Sequence, residues 1–266
     1  MCEHCGCAVT EPRERPLGHG HEAPDVESIE VVRGLLAAND RLAAHNREHF
    51  AAHGVLAINL MSSPGAGKTA LLERTAEALA GQVRMGVIEG DLATENDAQR
   101  IRAEGIPAVQ ITTGNACHLD ARMVHHALDS FALEGLDVLF IENVGNLVCP
   151  ASFDLGQNLD VTLLSVPEGD DKPQKYPVMF RAADLLLITK TDLLALLPEF
   201  EPARAEASLR ALSSAAPVLR ISNRAPGGIE PWCAWLEAQL AAHRTAAHGR
   251  NAHAAGGAVH GHQHAL

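Results

Sequence analysis

Met61-Ser62-Ser63-Pro64-Gly65-Ala66-Gly67-Lys68-Thr69-Ala70-Leu71-Leu72 is the stretch on which the reading of the fold turns. An apolar run ends at Met61, glycines follow at 65 and 67, and Ala70-Leu71-Leu72 opens a helical pattern. A strand, a glycine turn, Lys-Thr and a helix in that order make a phosphate cradle. The backbone N–H groups from Gly65, Ala66 and Gly67 to Ala70 curl round a β-phosphate, while Lys68 reaches the β and γ oxygens. Thr69 ligates Mg²⁺, and the helix start adds partial positive charge. Ser62 stands where such a loop ordinarily begins with glycine, which is tolerable if the turn needs no positive φ there.

Outward from this loop, short apolar runs recur at Val55–Met61, Val83–Glu89, Ala108–Thr112, Val138–Glu142, Val161–Val166, Leu185–Thr189 and Val218–Ile221. Helical segments separate them. The alternation predicts an α/β fold: a P-loop nucleotide hydrolase with a mainly parallel sheet flanked by helices, ligands binding at the carboxyl ends of the strands. A long helix is expected over 26–53, where Ile29, Val32, Leu35, Leu36, Leu42 and Phe50 recur near helical spacing before Gly54. A last helix, Ile229 to about His243, carries Trp232, Trp235, Leu236 and Leu240 on one face. The expected organisation is a flexible Cys/His arm over 1–25, a nucleotide-hydrolysing domain over 26–243 and a disordered His-rich tail over 244–266.

Acidic residues outnumber basic ones, 33 to 21, for a formal net charge of -12. That balance argues against nucleic acid as a partner. No stretch approaches the roughly 18 to 20 apolar residues of a membrane span, and the first residues lack a secretion signal, so the expected location is the cytoplasm. In that reducing setting, six cysteines with three at positions 2, 5 and 7 point to metal ligation rather than disulfides.

Two acidic residues end neighbouring runs, Asp91 in Val87-Ile88-Glu89-Gly90-Asp91 and Glu142 in Ile141-Glu142-Asn143-Val144-Gly145. Phosphoryl transfer needs carboxylates to hold Mg²⁺ or its water shell and a glycine N–H to sense the γ-phosphate. Asp91, Glu142 and Gly145 suit those roles, with Lys68 the remaining catalytic candidate. Thr189-Lys190-Thr191-Asp192 follows another apolar run, where guanine-specific proteins read Asn-Lys-x-Asp. Asp192 can accept from both guanine N–H groups and Lys190 can cover the base, whereas the loop brace that asparagine supplies is lost at Thr189. Ser222 and Asn223 are expected to close the base site with their backbone.

Cys2, Cys5 and Cys7 crowd three soft ligands into six residues, a set that suits Zn²⁺ or Ni²⁺ alike. A second set is formed by Cys117, His118 and Cys149, each just after an apolar run. Three ligands leave a fourth position to water or to a symmetry mate, and the latter predicts a metal shared across a two-fold axis. Cys149 can also be read as a small buried hydrophobe, the preferred reading for Cys233 beside the tryptophans.

These motifs, together with Ser165-Val166-Pro167-Glu168-Gly169-Asp170-Asp171-Lys172-Pro173, resemble the hydrogenase nickel-incorporation GTPases of the HypB family. The resemblance covers residue 2 onward and then about 26 to 242. It implies a homodimer that hydrolyses GTP to GDP and works with a zinc-containing accessory protein to load nickel into the large subunit of a [NiFe]-hydrogenase. By position it makes Cys2, Cys5 and Cys7 a tight nickel site and Cys117, His118 and Cys149 a weaker site for nickel or zinc. Alternatives are a nickel store and a urease-type nickel GTPase, although the latter resemblance calls for Cys-Pro-His where this chain has Cys117-His118. Histidines scattered through the tail are read as a loose nickel reservoir rather than a purification tag.

Overall fold

The computed structural model describes residues 26–91 and 96–256, with side chains over 33–91 and 96–247. Cys2, Cys5 and Cys7, and residues 257–266, lie outside the described residues. The elements run α1 (Val26–His53), β1 (Leu56–Ser62), α2 (Lys68–Ala78), β2 (Met85–Asp91), α3 (Asn96–Ala103), β3 (Ala108–Thr112), α4 (Ala121–Leu128) and β4 (Val138–Glu142). They continue with β5 (Leu159–Ser165), α5 (Lys172–Lys175), α6 (Pro177–Ala182), β6 (Leu185–Thr189), α7 (Pro202–Ala211), β7 (Val218–Arg220) and α8 (Glu230–Gly256).

The seven expected runs are the seven strands. They form one sheet in the order β3-β2-β4-β1-β5-β6-β7, and every pairing is parallel. β1 sits at the centre, bonded to β4 from Leu56↔Val138 and to β5 from Ile58↔Leu159. Its residues are buried on both faces, which is why the run is mainly apolar instead of alternating, with Asn59 the polar exception before Ser62. Leu56, Ile58 and Leu60 pack with Leu71 and Leu72 of α2 and with Trp232, Leu236 and Leu240 of α8. On the other face Ala57 meets Phe50 of α1 and Val124 of α4, and Met61 joins Met179 and Phe180 of α6.

Two expectations change. The long first helix is present, but its buried stripe is Asn39, Ala43, Asn46 and Phe50, while Leu35 is 58% exposed. Both asparagines are held by backbone: Asn39 Nδ2 donates to Asp154 O and Asn46 Nδ2 to Ala121 O and Leu155 O, although Asn46 Oδ1 is buried without a partner. The last helix does not stop near His243 but runs to Gly256, the expected tail beginning with Ala-rich sequence of high helix propensity. No helix among the described residues is long and apolar enough to cross a membrane.

Candidate functional site

β1 delivers its last residue, Ser62, into the loop, and α2 leaves it at Lys68. Gly65 and Gly67 take φ of 75° and 102°, conformations open to glycine, whereas Ser62 is not among the described residues with positive φ. Serine at the head of the loop is thereby accommodated, and its hydroxyl oxygen accepts from Lys68 Nζ at 3.1 Å. Gly145 packs on the loop so closely that a Cβ there would lie 2.8 Å from Pro64 Cα. The Asn146 N–H donates to Ser62 O at 2.8 Å. From the other side, the Ser63 hydroxyl donates to Glu168, whose carboxylate is held by Ser165 N–H and hydroxyl.

A cavity of about 370 Å³ beside the loop is lined by Lys68, Thr69, Asp91, Glu142 and Gly145, and also by Glu89. Glu89 and Glu142 face each other in register across β2 and β4. Thr69 Oγ1 donates to Glu142 Oε1 at 2.9 Å, while Glu142 Oε2 and Glu89 Oε2 are buried without a hydrogen-bond partner. Burial pushes the Glu142 carboxyl up to about 7, with Lys68 and the Thr69 hydroxyl pulling the other way. Burial, then the charges of Glu142 and Asp91, push Glu89 up to about 8. Two orphaned carboxylate oxygens beside a threonine hydroxyl are a donor set that fits a hard, oxygen-seeking dication such as Mg²⁺. Sequence reasoning passed over Glu89; its signal was its place two residues before Asp91, hence on the same side of β2.

A second cavity of about 270 Å³ shares Gly67 and Ala70 with the first and is lined by Ala66, Thr189, Lys190, Asp192 and Asn223. Lys190 has φ 58° and donates through Nζ to Gly65 O at 2.7 Å. The brace expected to be missing at Thr189 is present in another form: its buried hydroxyl donates to Ala66 O at 2.7 Å. A threonine hydroxyl is long enough here because β6 ends directly beneath the loop. Ser222 acts by its side chain rather than by backbone alone, its hydroxyl donating to Asp192 Oδ1 at 2.6 Å. Asn223 Oδ1 is buried without a partner at this cavity.

Cys117, His118 and Cys149 converge, with one donor atom from each within 4.8 Å of the others. Cys117 Sγ lies 3.2 Å from Cys149 Sγ and 3.8 Å from His118 Nδ1. The His118 ring stacks on Phe153 with centroids 4.0 Å apart, a contact absent from the sequence reading. Burial lowers the His118 value against the opposing charge of Asp120, favouring the neutral imidazole that ligates metal. Asp120 caps α4 by accepting from Met123 N–H, which fixes where the Cys117-His118 segment ends. Asn146 bridges the two centres: its N–H bonds Ser62 O and its Nδ2 donates to Cys117 O at 3.3 Å. Cys233 is 9% exposed in the α8 contact, a small hydrophobe as expected.

Residues 56–220 match the family model described as CobW/HypB/UreG, nucleotide-binding domain. Hydrogenase maturation factor HypB of Azotobacter vinelandii is 53% identical over 212 residues, 79% of this chain and 69% of that protein. The protein of that name from Escherichia coli is 48% identical over 239 residues, 88% of this chain and 82% of that one. A crystal structure of HypB from Helicobacter pylori in complex with nickel superposes with TM-score 0.73 at 43% identity, covering 76% of this chain and 95% of that one. The hydrogenase maturation factor HypB from Archaeoglobus fulgidus gives TM-score 0.72 at 41% identity, covering 77% and 100%.

Proposed function

The chain belongs to the CobW/HypB/UreG family, and within it to the HypB hydrogenase maturation factors, and from that membership we propose a GTPase that carries nickel to a [NiFe]-hydrogenase under control of its nucleotide. The N–H groups of 65–70 and Lys68 bind the β and γ phosphates, and Asp192, oriented by Ser222, accepts from the guanine N–H groups. Lys190 and Asn223 flank the base. Thr69, Asp91 and Glu142 would hold Mg²⁺, which supplies neutralisation of the phosphate charge when bound. Gly145, pressed against Pro64, is placed to feel a γ-phosphate. Nickel is cargo, taken by Cys117, His118 and Cys149 in the domain and by Cys2, Cys5 and Cys7 in the arm; the domain cluster accepts zinc as well. A three-donor cluster invites completion across a two-fold axis, so the working form is a cytoplasmic homodimer, with a zinc-containing accessory protein and the hydrogenase large subunit as partners.

The observation that carries this reading is Asn146, which touches the backbone of both the phosphate loop and the cysteine cluster. The test is nickel titration of the protein loaded with GDP or with a non-hydrolysable GTP analogue, with mass monitored. Different nickel affinities and oligomeric states are expected. Identical values in the two states would remove the nucleotide gate. Lys68→Ala should abolish GTP turnover; turnover at the normal rate in that variant would overturn the phosphate-loop assignment, and no turnover in the unaltered chain would reduce the protein to a nickel store.

A further inference from the structure

A further group of side chains able to ligate metal lies where α1 crosses α4. His45 and His49 stand one helical turn apart on α1, with ring centroids 5.1 Å apart and planes at 60°. His125 comes from α4 and its ring lies 5.1 Å from that of His45 at 63°. His125 Nδ1 is buried with no hydrogen-bond partner, an expensive state for a ring nitrogen unless something else uses its lone pair. Glu48 places a carboxylate oxygen 4.0 Å from His45 Nδ1. The crossing is held rigidly, because Ala121 at the head of α4 donates to Asn39 Oδ1 and accepts from Asn46 Nδ2, both on α1.

Histidines four apart on a helix lie on one face and form a bidentate metal pair, the spacing that zinc-binding helices use. A third imidazole from a neighbouring helix turns the pair into a three-nitrogen site with room for water. Such a site suits borderline divalent ions of the first transition row. We propose that His45, His49 and His125 form a further transition-metal site that bridges α1 and α4 and takes a divalent ion such as zinc or nickel. Its three neutral imidazoles supply neither the negative charge nor the softness of the thiolate cluster, so it binds more weakly. The three imidazoles do not already converge as the donors of Cys117, His118 and Cys149 do, so an ion would be held by side chains that rotate into place, which the exposure of His45 and His49 allows. The assignment does not depend on the guanine nucleotide.

The test uses the full chain with ¹⁵N-labelled histidine and Zn²⁺ alone. After the thiolate sites are filled, further Zn²⁺ should shift the imidazole nitrogens of His45, His49 and His125 together, along one binding curve. His125→Gln should weaken that curve by at least about tenfold, the smallest cost of losing even a supporting partner of a ligand. His45→Gln, at an exposed position, should do the same and decides the matter if the His125 variant fails to fold. Imidazole signals unmoved by excess Zn²⁺ would leave three rings that merely pack. Shifts at His45 and His49 that persist undiminished in His125→Gln would equally overturn the bridging site.

Discussion

Glu89 and Glu142 set opposed carboxyls in a dry pocket, and the pH dependence of folding should register it. Their folded-state values are raised, to about 8 and about 7, from the ordinary 4.5. A carboxyl raised in this way contributes stability that is complete below its unfolded value and is lost as pH rises through its folded value. The nucleotide-free protein should therefore lose stability between pH 5 and 8, measured as the urea midpoint, and Glu89→Gln should flatten that decline. Mg²⁺ should restore stability at pH 8 in the native chain more than in the variant. A native midpoint that climbs steadily over this range would contradict the pairing. Thr189 gives a second case: Thr189→Val removes the donor to Ala66 O, and a lost buried hydrogen bond costs about 1 to 2 kcal/mol, or roughly a 5- to 30-fold rise in the GTP dissociation constant. Thr189→Asn should bind GTP about as well as the native chain. At this scale Lys68, Thr69 and Asp192 were legible because a motif names them. Glu89 opposite Glu142 and Thr189 beneath Ala66 were not, since each contact depends on which strands become neighbours.

At the scale of elements, all seven strands could be read from apolar runs, because strands buried on both faces, such as β4 and β6, carry few polar residues. The face of α1 could not. A hydrophobic stripe would have turned Leu35 inward, but the inward positions Asn39 and Asn46 supply hydrogen bonds to carbonyls at Asp154, Leu155 and Ala121 that no leucine can make. Asn46→Ala should thus cost about 1 to 3 kcal/mol by leaving two acceptors unpaired. Leu35→Glu should stay within about 0.5 kcal/mol of the native chain. Equilibrium urea unfolding of both variants checks the contrast, and equal losses would mean that the leucine is the buried side. Because the carbonyls served by Asn46 flank the cysteine cluster, the alanine variant should also weaken metal binding there.

The whole molecule gathers its chemistry on one edge of the sheet, where the carboxyl ends of β1, β2, β4 and β6 open. That much follows from the alternation of strands and helices; the distance between the phosphate loop and the cysteines does not, since it depends on the loop after β4 folding back over Pro64. If Asn146 transmits between the two centres, Asn146→Ala should reduce the effect of nucleotide on nickel affinity while leaving each ligand bound. The native coupling is expected at about 1 to 3 kcal/mol and must be reciprocal, nickel altering GTP-analogue affinity by the same factor. Paired titrations check it, and an unchanged coupling in the variant would assign the transmission elsewhere. The central position of β1 has one more consequence, for the order of events during synthesis. The strand that bears the phosphate loop leaves the ribosome with neither neighbour in existence: its partner on one side begins at Val138 and on the other at Leu159. The second cavity waits longer still, for Asn223. Nearly the entire domain must be made before a nucleotide has anything to hold, so the nascent chain passes through a long interval with a largely apolar strand unpaired, in which chaperone capture competes with aggregation.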